Sequence, residues 1–169
     1  ERAMEEDQEI FLVTQREIGV NLPEEKDLYA VGTVSHISQI LRLSPTSVRC
    51  VVEGRRRARL KRLWQGGPYL QANVEALPEE EPSEAFRKSP RTEALLRQTY
   101  HLFSEYAEMA GGIAEEVLTT VMDSRDPGFL ADYIAQNAAL RFTDKQEILE
   151  EISPFARLRK LNSFLAREN

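Results

Sequence analysis

Few side chains in this sequence could do chemistry, and those few are poorly spaced for it. Cys50 is the single cysteine, and His36 and His101 are the two histidines, so no zinc site of the usual spacings can be assembled. Cys50 with His36 could form a nucleophilic pair. However, Cys50 falls on an apolar alternating run, where a buried, inert thiol is expected. No G-x-x-x-x-G-K-[ST] or G-x-G-x-x-G loop occurs to cradle phosphate, and no G-x-S-x-G elbow presents a serine. The carboxylates cluster as Glu5-Glu6-Asp7, Glu79-Glu80-Glu81 and Glu150-Glu151, which read as solvated surface or linker charge. The sequence therefore predicts no catalytic residue, no metal ligand and no cofactor site in this chain.

Two features point to partners instead. In Arg55-Arg56-Arg57-Ala58-Arg59-Leu60-Lys61-Arg62, six of eight residues are basic. The run reads either as a nucleic-acid or polyphosphate patch or as an amphipathic strand with Ala58 and Leu60 inward and cations outward, where they guard an exposed edge. The strand reading is favoured, because no interleaved aromatics supply a stacking platform. Beside it, Trp64 and Tyr69 flank Gly66-Gly67-Pro68. They form either an aromatic contact loop or a cap on a local core. Trp64, Tyr69, Arg55, Arg56, Arg57 and Arg59 are the candidate partner-binding residues.

These features must be held by two lobes written in different patterns. Ile10-Phe11-Leu12-Val13 reads as a buried strand. Leu41 and Leu43, then Val48, Cys50 and Val52, alternate around Ser44-Pro45-Thr46-Ser47 and predict a hairpin. Leu70, Ala72, Val74 and Ala76 alternate as a half-buried strand. Val31, Val34, Ile37, Ile40 and Leu41 fall instead at helical spacing, so periodicity alone predicts a helix over 31–41. After the charged, proline-bounded stretch 79–84 the period turns helical. Leu95, Thr99, Leu102, Phe103, Tyr106 and Ala110 make one stripe that ends at Gly111-Gly112. Met109, Ile113, Val117, Leu118 and Met122 follow, either as bundle core or as a groove between helices. Asp126-Pro127, a Thr143-x-x-Gln146 capping box and Ser153-Pro154 mark three more helix starts. The expected domains are a β-rich lobe over 1–78, a linker over 79–84 and an α-helical bundle over 85–169.

Composition narrows the class. With 41% hydrophobic residues the chain can fill a core, and no apolar stretch approaches the roughly 20 residues that span a bilayer. A lone cysteine suits a reducing cytoplasm. The net charge of −6 arises after residue 78, since residues 1–78 carry 11 basic and 11 acidic residues. An acidic chain is a poor general binder of nucleic acid. Glu1-Arg2-Ala3-Met4-Glu5-Glu6-Asp7 reads as the end of a helix without its beginning, so a fragment of a longer protein with an unpaired strand edge is expected.

Several segments, in order, resemble bacterial Lon proteases. Ala3 to Gln15 is similar to the helix-then-strand passage near the Lon N-terminus, and Asp27 to Val34 resembles the next segment. Val51-Val52-Glu53-Gly54-Arg55-Arg56-Arg57-Ala58-Arg59 resembles a V-E-G-x-x-R-A-R strand pair. Leu130 to Ala135 and Asp144 to Glu150 resemble the L-A-D-x-I-A and D-K-Q-x-x-L-E patterns, with Arg157-Leu158-x-x-Leu161 following. The P-L-R-type opening strand of the family is absent.

The resemblance implies an α+β fold: a small antiparallel sheet or pseudo-barrel with one helix, then a helical bundle. It also implies a strand over 31–41. It further implies a non-catalytic substrate-recognition and assembly domain that meets unfolded or misfolded proteins. The parent would be a homo-oligomeric serine protease whose ATP and Mg belong to a separate ATPase module. Two other readings stand beside it. One is a stand-alone adaptor or ligand-binding module; the other is nucleic-acid or polyphosphate binding through 55–62.

Overall fold

The computed structural model describes residues 2–169 and divides into two units, Glu1–Pro78 and Glu79–Asn169. In the first, a short helix α1 (Arg2–Glu5) leads into β1 (Glu9–Leu12), β2 (Val31–Ser44), β3 (Ser47–Gln65) and β4 (Leu70–Ala76). The strands pair antiparallel in the order β1-β2-β3-β4 and curl into a half-barrel. Its core is Leu28, Val31, Val34, Ile37 and Ala58.

Residues 31–41 are strand, as the resemblance implies and the periodicity does not. Register shifts at Val34/Ser35 and Ile37/Gln39 break strict alternation along β2. Val31, Val34 and Ile37 are all buried as a result, at a spacing that imitates a helix.

The Ser44–Ser47 turn forms as expected, but the hairpin beyond it is solvated. Leu41, Leu43, Val48, Val51 and Val52 are all exposed, and so is Cys50. The expectation of a buried thiol is thus corrected. Among the described residues, this part of β2 and β3 pairs with no other strand, and its apolar side chains stand exposed.

The second unit contains α2 (Glu84–Arg87), α3 (Pro90–Ala110), α4 (Glu115–Asp123), α5 (Pro127–Asn137), α6 (Phe142–Glu150) and α7 (Pro154–Glu168). Glu84, read from sequence as linker, is the first residue of α2, which Ser83 caps. The α3 stripe buries Leu95, Thr99, Phe103 and Tyr106 against Val121, Leu130, Ile134, Leu158, Leu161 and Leu165. Ile113, Val117 and Leu118 pack on this core, while Met109 and Met122 are exposed.

Asp126 caps α5 by accepting from the Gly128 and Phe129 amides, and Ser153 caps α7 by accepting from Ala156. The expected capping box at Thr143 does not form. Arg141 occupies the N-cap position, and α6 begins at Phe142. Asp144, nearly buried, takes Arg141 at 3.3 Å and Arg167 at 2.8 Å, and this ion cluster fixes where the helix starts.

Candidate functional site

Curling of the sheet brings its two edge strands, β1 and β4, to one groove of about 990 Å³ within the first unit. Phe11, Leu60, Leu63 and Ala72 are among its lining residues. Leu60 and Leu63 are three residues apart, and in a regular strand they would face opposite ways. The register shift between Leu60 and Arg62 inserts a residue and turns both to the groove. Phe11 crosses β2 at Gly32. A Cβ there would lie 2.3 Å from the Leu12 carbonyl oxygen and 2.7 Å from the Phe11 ring, so glycine is what lets β1 lie this close.

The rim is apolar and open. Leu12 is 43% exposed, Tyr69 40%, Leu70 53% and Val74 37%. Around α1 the lining is acidic, with Glu5, Glu6, Asp7 and Glu9 set against Arg2. Arg2 meets Glu6 at 2.8 Å, and chiefly that carboxylate raises the guanidinium pKa above its ordinary value. None of the lining residues is a cysteine, histidine, serine or lysine. What this arrangement offers is apolar contact alongside two strand edges with unpaired backbone groups, the chemistry of holding an extended segment.

The expected partner-binding residues do not converge on one place. Tyr69 stands on the groove rim, whereas Trp64 is half-buried in β3 with the Arg62 guanidinium 5.5 Å from its ring. The basic run is divided by the pleat. Arg57 and Arg59 alternate with Arg56, which shares a face with Glu9 and meets it at 3.3 Å. Arg55 pairs with Glu53 at 3.5 Å. β3 pairs with β2 as far as Arg59 and with β4 only from Ala58 onward, so Arg55 and Arg56 lie on a stretch that has β2 alone as its neighbour. Cys50 stands opposite Ile40 and His36 opposite Glu53, so they are not ladder partners. Sequence reasoning passed over Leu12, Leu70 and Val74 as site residues. Their signal was an apolar alternation on strands that prove to be sheet edges.

The family model described as "ATP-dependent protease La (LON) substrate-binding domain" matches residues 1–167. The chain belongs to the Lon substrate-binding domain family. It is 37% identical over 168 residues to the Lon protease of Desulforamulus reducens, covering 99% of this chain and 20% of that protein. It is 33% identical over 168 residues to Lon protease 1 of Bacillus subtilis, covering 99% of this chain and 21% of that protein. The Lon domain thus spans about a fifth of the length of these curated relatives.

Among solved structures, the N-terminal domain of the Mycobacterium avium complex Lon protease matches with a TM-score of 0.67 and 25% identity. That match covers 85% of this chain and 74% of the other. A Lon N-terminal domain protein from Xanthomonas campestris shares the fold, with a TM-score of 0.53 and 17% identity over 92% and 89% of the two chains.

Proposed function

We propose that this Lon domain is a non-catalytic recognition module that captures unfolded or misfolded protein segments for an ATP-dependent protease. The supporting observation is the groove, where both open edges of the half-barrel face one apolar channel with Leu12, Tyr69, Leu70 and Val74 standing exposed. An unfolded segment can lay apolar side chains there and pair its backbone along an edge, which asks little of its exact sequence. Each contact is weak. Several copies in a homo-oligomer raise the local concentration enough for weak contacts to hold one chain. ATP and Mg then belong to another part of the longer protein, in a cytoplasmic enzyme.

Photo-crosslinking tests this. An unfolded reporter protein carrying a crosslinker should label Leu12, Tyr69, Leu70 and Val74, and Leu70→Asp with Val74→Asp should cut labelling several-fold. Equal labelling by the folded reporter would sink the capture reading. Labelling of this chain that disappears in a full-length Lon would assign the groove to the protein's own chain.

A further inference from the structure

We propose that the groove of the β unit sorts extended segments by the charge beside their apolar stretch, accepting flanks of lysine or arginine and rejecting flanks of aspartate or glutamate. Sorting of this kind rests on capture in the groove and adds which segments are held there.

The groove is charged along one stretch only. Arg2, Glu5, Glu6, Asp7 and Glu9 are its charged lining residues, and all fall within 2–9. The rest of the lining carries no formal charge. By sequence, Glu5-Glu6-Asp7 reads as solvated surface; the fold sets it on the wall of an apolar channel. Glu6 first, and Tyr69 after it, raise the Arg2 pKa, so α1 lies near the turn that carries Tyr69.

The balance on that wall is negative. Arg2 meets Glu6 at 2.8 Å and Glu5 at 3.8 Å. Arg56, from outside the lining, meets Glu9 at 3.3 Å. Asp7 accepts the Glu9 amide at 3.0 Å, and among the described residues no cation meets it. Two guanidinium groups are thus shared among four carboxylates, which leaves a surplus of two negative charges. Glu5, Glu6 and Asp7 are exposed, so an arriving cation reaches them directly.

Apolar contact holds the body of a segment whatever its flanks. Natural sequences set charged gatekeepers beside apolar stretches, so the sign of a flank is there to be read. A cationic flank meets the surplus and an anionic flank is repelled by it. Discrimination draws on both, although each exposed pair is weak.

Fluorescence anisotropy on the whole chain tests this with three labelled peptides. All share one apolar stretch of seven residues, the length of β4, and carry flanks of Lys-Lys, Gln-Gln or Glu-Glu. At low salt the Lys-flanked peptide should bind about ten-fold more tightly than the Glu-flanked one, with the Gln-flanked peptide between. Near 1 M salt, where the screening length falls to about 3 Å, the three should converge. Glu5→Gln, Glu6→Gln and Asp7→Asn together should erase the order and leave the Gln-flanked affinity within about two-fold. Asp7→Asn keeps the oxygen that accepts the Glu9 amide. If the Gln-flanked peptide weakens as well, the variant has damaged α1, and the salt series on the parent chain decides. Equal affinity for Lys and Glu flanks at low salt, with the Gln-flanked peptide bound, overturns the sorting and leaves capture standing. So does an order that survives the triple variant. Failure of all three peptides to bind at any salt sinks capture, and the sorting with it.

Discussion

Gly32 offers a demanding check on how β1 is held, because the structure gives the size of the conflict directly. In Gly32→Ala the new methyl would start 2.3 Å from the Leu12 carbonyl oxygen. Ordinary contact needs about 1 Å more, and the obstacle is backbone, so no side-chain rotation relieves it. The β1 strand has to lift off β2 along their four paired positions, Glu9 to Leu12. Overpacking of this kind costs about 3 kcal/mol or more. In a unit of this size that lowers the unfolding midpoint by roughly 12–24 °C.

Trp64 is the only tryptophan and lies in β3, so its fluorescence follows the β unit alone. Two further glycines calibrate the result. At Gly66 the added Cβ meets only the amide end of Gln71, at 2.6 Å, which can swing aside, so Gly66→Ala should cost below about 1 kcal/mol. At Gly19 nothing lies within 4 Å, and the change should be within about 0.5 kcal/mol of neutral. Because β1 forms one wall of the groove, Gly32→Ala should also reduce capture of unfolded reporter. A Gly32→Ala chain that melts with Gly19→Ala would refute the reasoning.

Further expectations follow from the helical unit. The Thr99 hydroxyl lies 3.0 Å from both the Leu95 carbonyl and the Asn162 side-chain oxygen, fully buried, so Thr99→Val should cost about 1–3 kcal/mol in urea unfolding. Asp126 accepts two amides at the start of α5, so Asp126→Ala should cost about 1 kcal/mol. Thr143 caps nothing, so Thr143→Ala should lie within about 0.5 kcal/mol of the parent. Burial raises the pKa of Tyr100, whose hydroxyl donates to the Ser124 carbonyl at 2.5 Å. Above pH 10.0 the unfolded chain then loses a proton that the folded chain keeps, so stability intact below that pH falls as pH rises further. Tyr100→Phe should flatten that alkaline slope in a melting series.

Helix starts were legible where one residue could satisfy the local chemistry. Asp126-Pro127 and Ser153-Pro154 cap in the structure because their side chains need only the next turn's amides. Thr143-x-x-Gln146 has the same grammar and fails, because Asp144 is drawn inward to Arg141 and Arg167, and Arg167 is 23 residues away. Cys50 and its neighbours alternate correctly, yet alternation cannot reveal whether anything covers the face. The groove was the least legible part. Phe11 and Val74 become neighbours on one channel only when four strands curl, and register shifts at Val34/Ser35 and Leu60/Arg62 set which side chains turn inward.

The basic run illustrates how composition and placement diverge. It lies on β3, and the acids that meet it come from β1, from β4 and from β3 itself. Glu9 on β1 meets Arg56, Glu75 on β4 meets Lys61 at 2.7 Å, and Glu53 meets Arg55. The carboxylate of Glu75 is held below the usual range mainly by its hydrogen bond from Lys61. All three pairs, two between strands and one within β3, are exposed and individually weak. Even so, a polyanion has to displace each carboxylate before phosphate can take its place. Binding of a DNA oligonucleotide should therefore be feeble and confined to low salt. Glu9→Gln, Glu53→Gln and Glu75→Gln together should strengthen it and steepen its salt dependence, because each vacated cation adds a phosphate contact and releases a counterion. Fluorescence anisotropy across a salt series reads both effects. Tight binding by the parent chain near 150 mM salt, unchanged in the triple variant, would show that the carboxylates do not mask the strand.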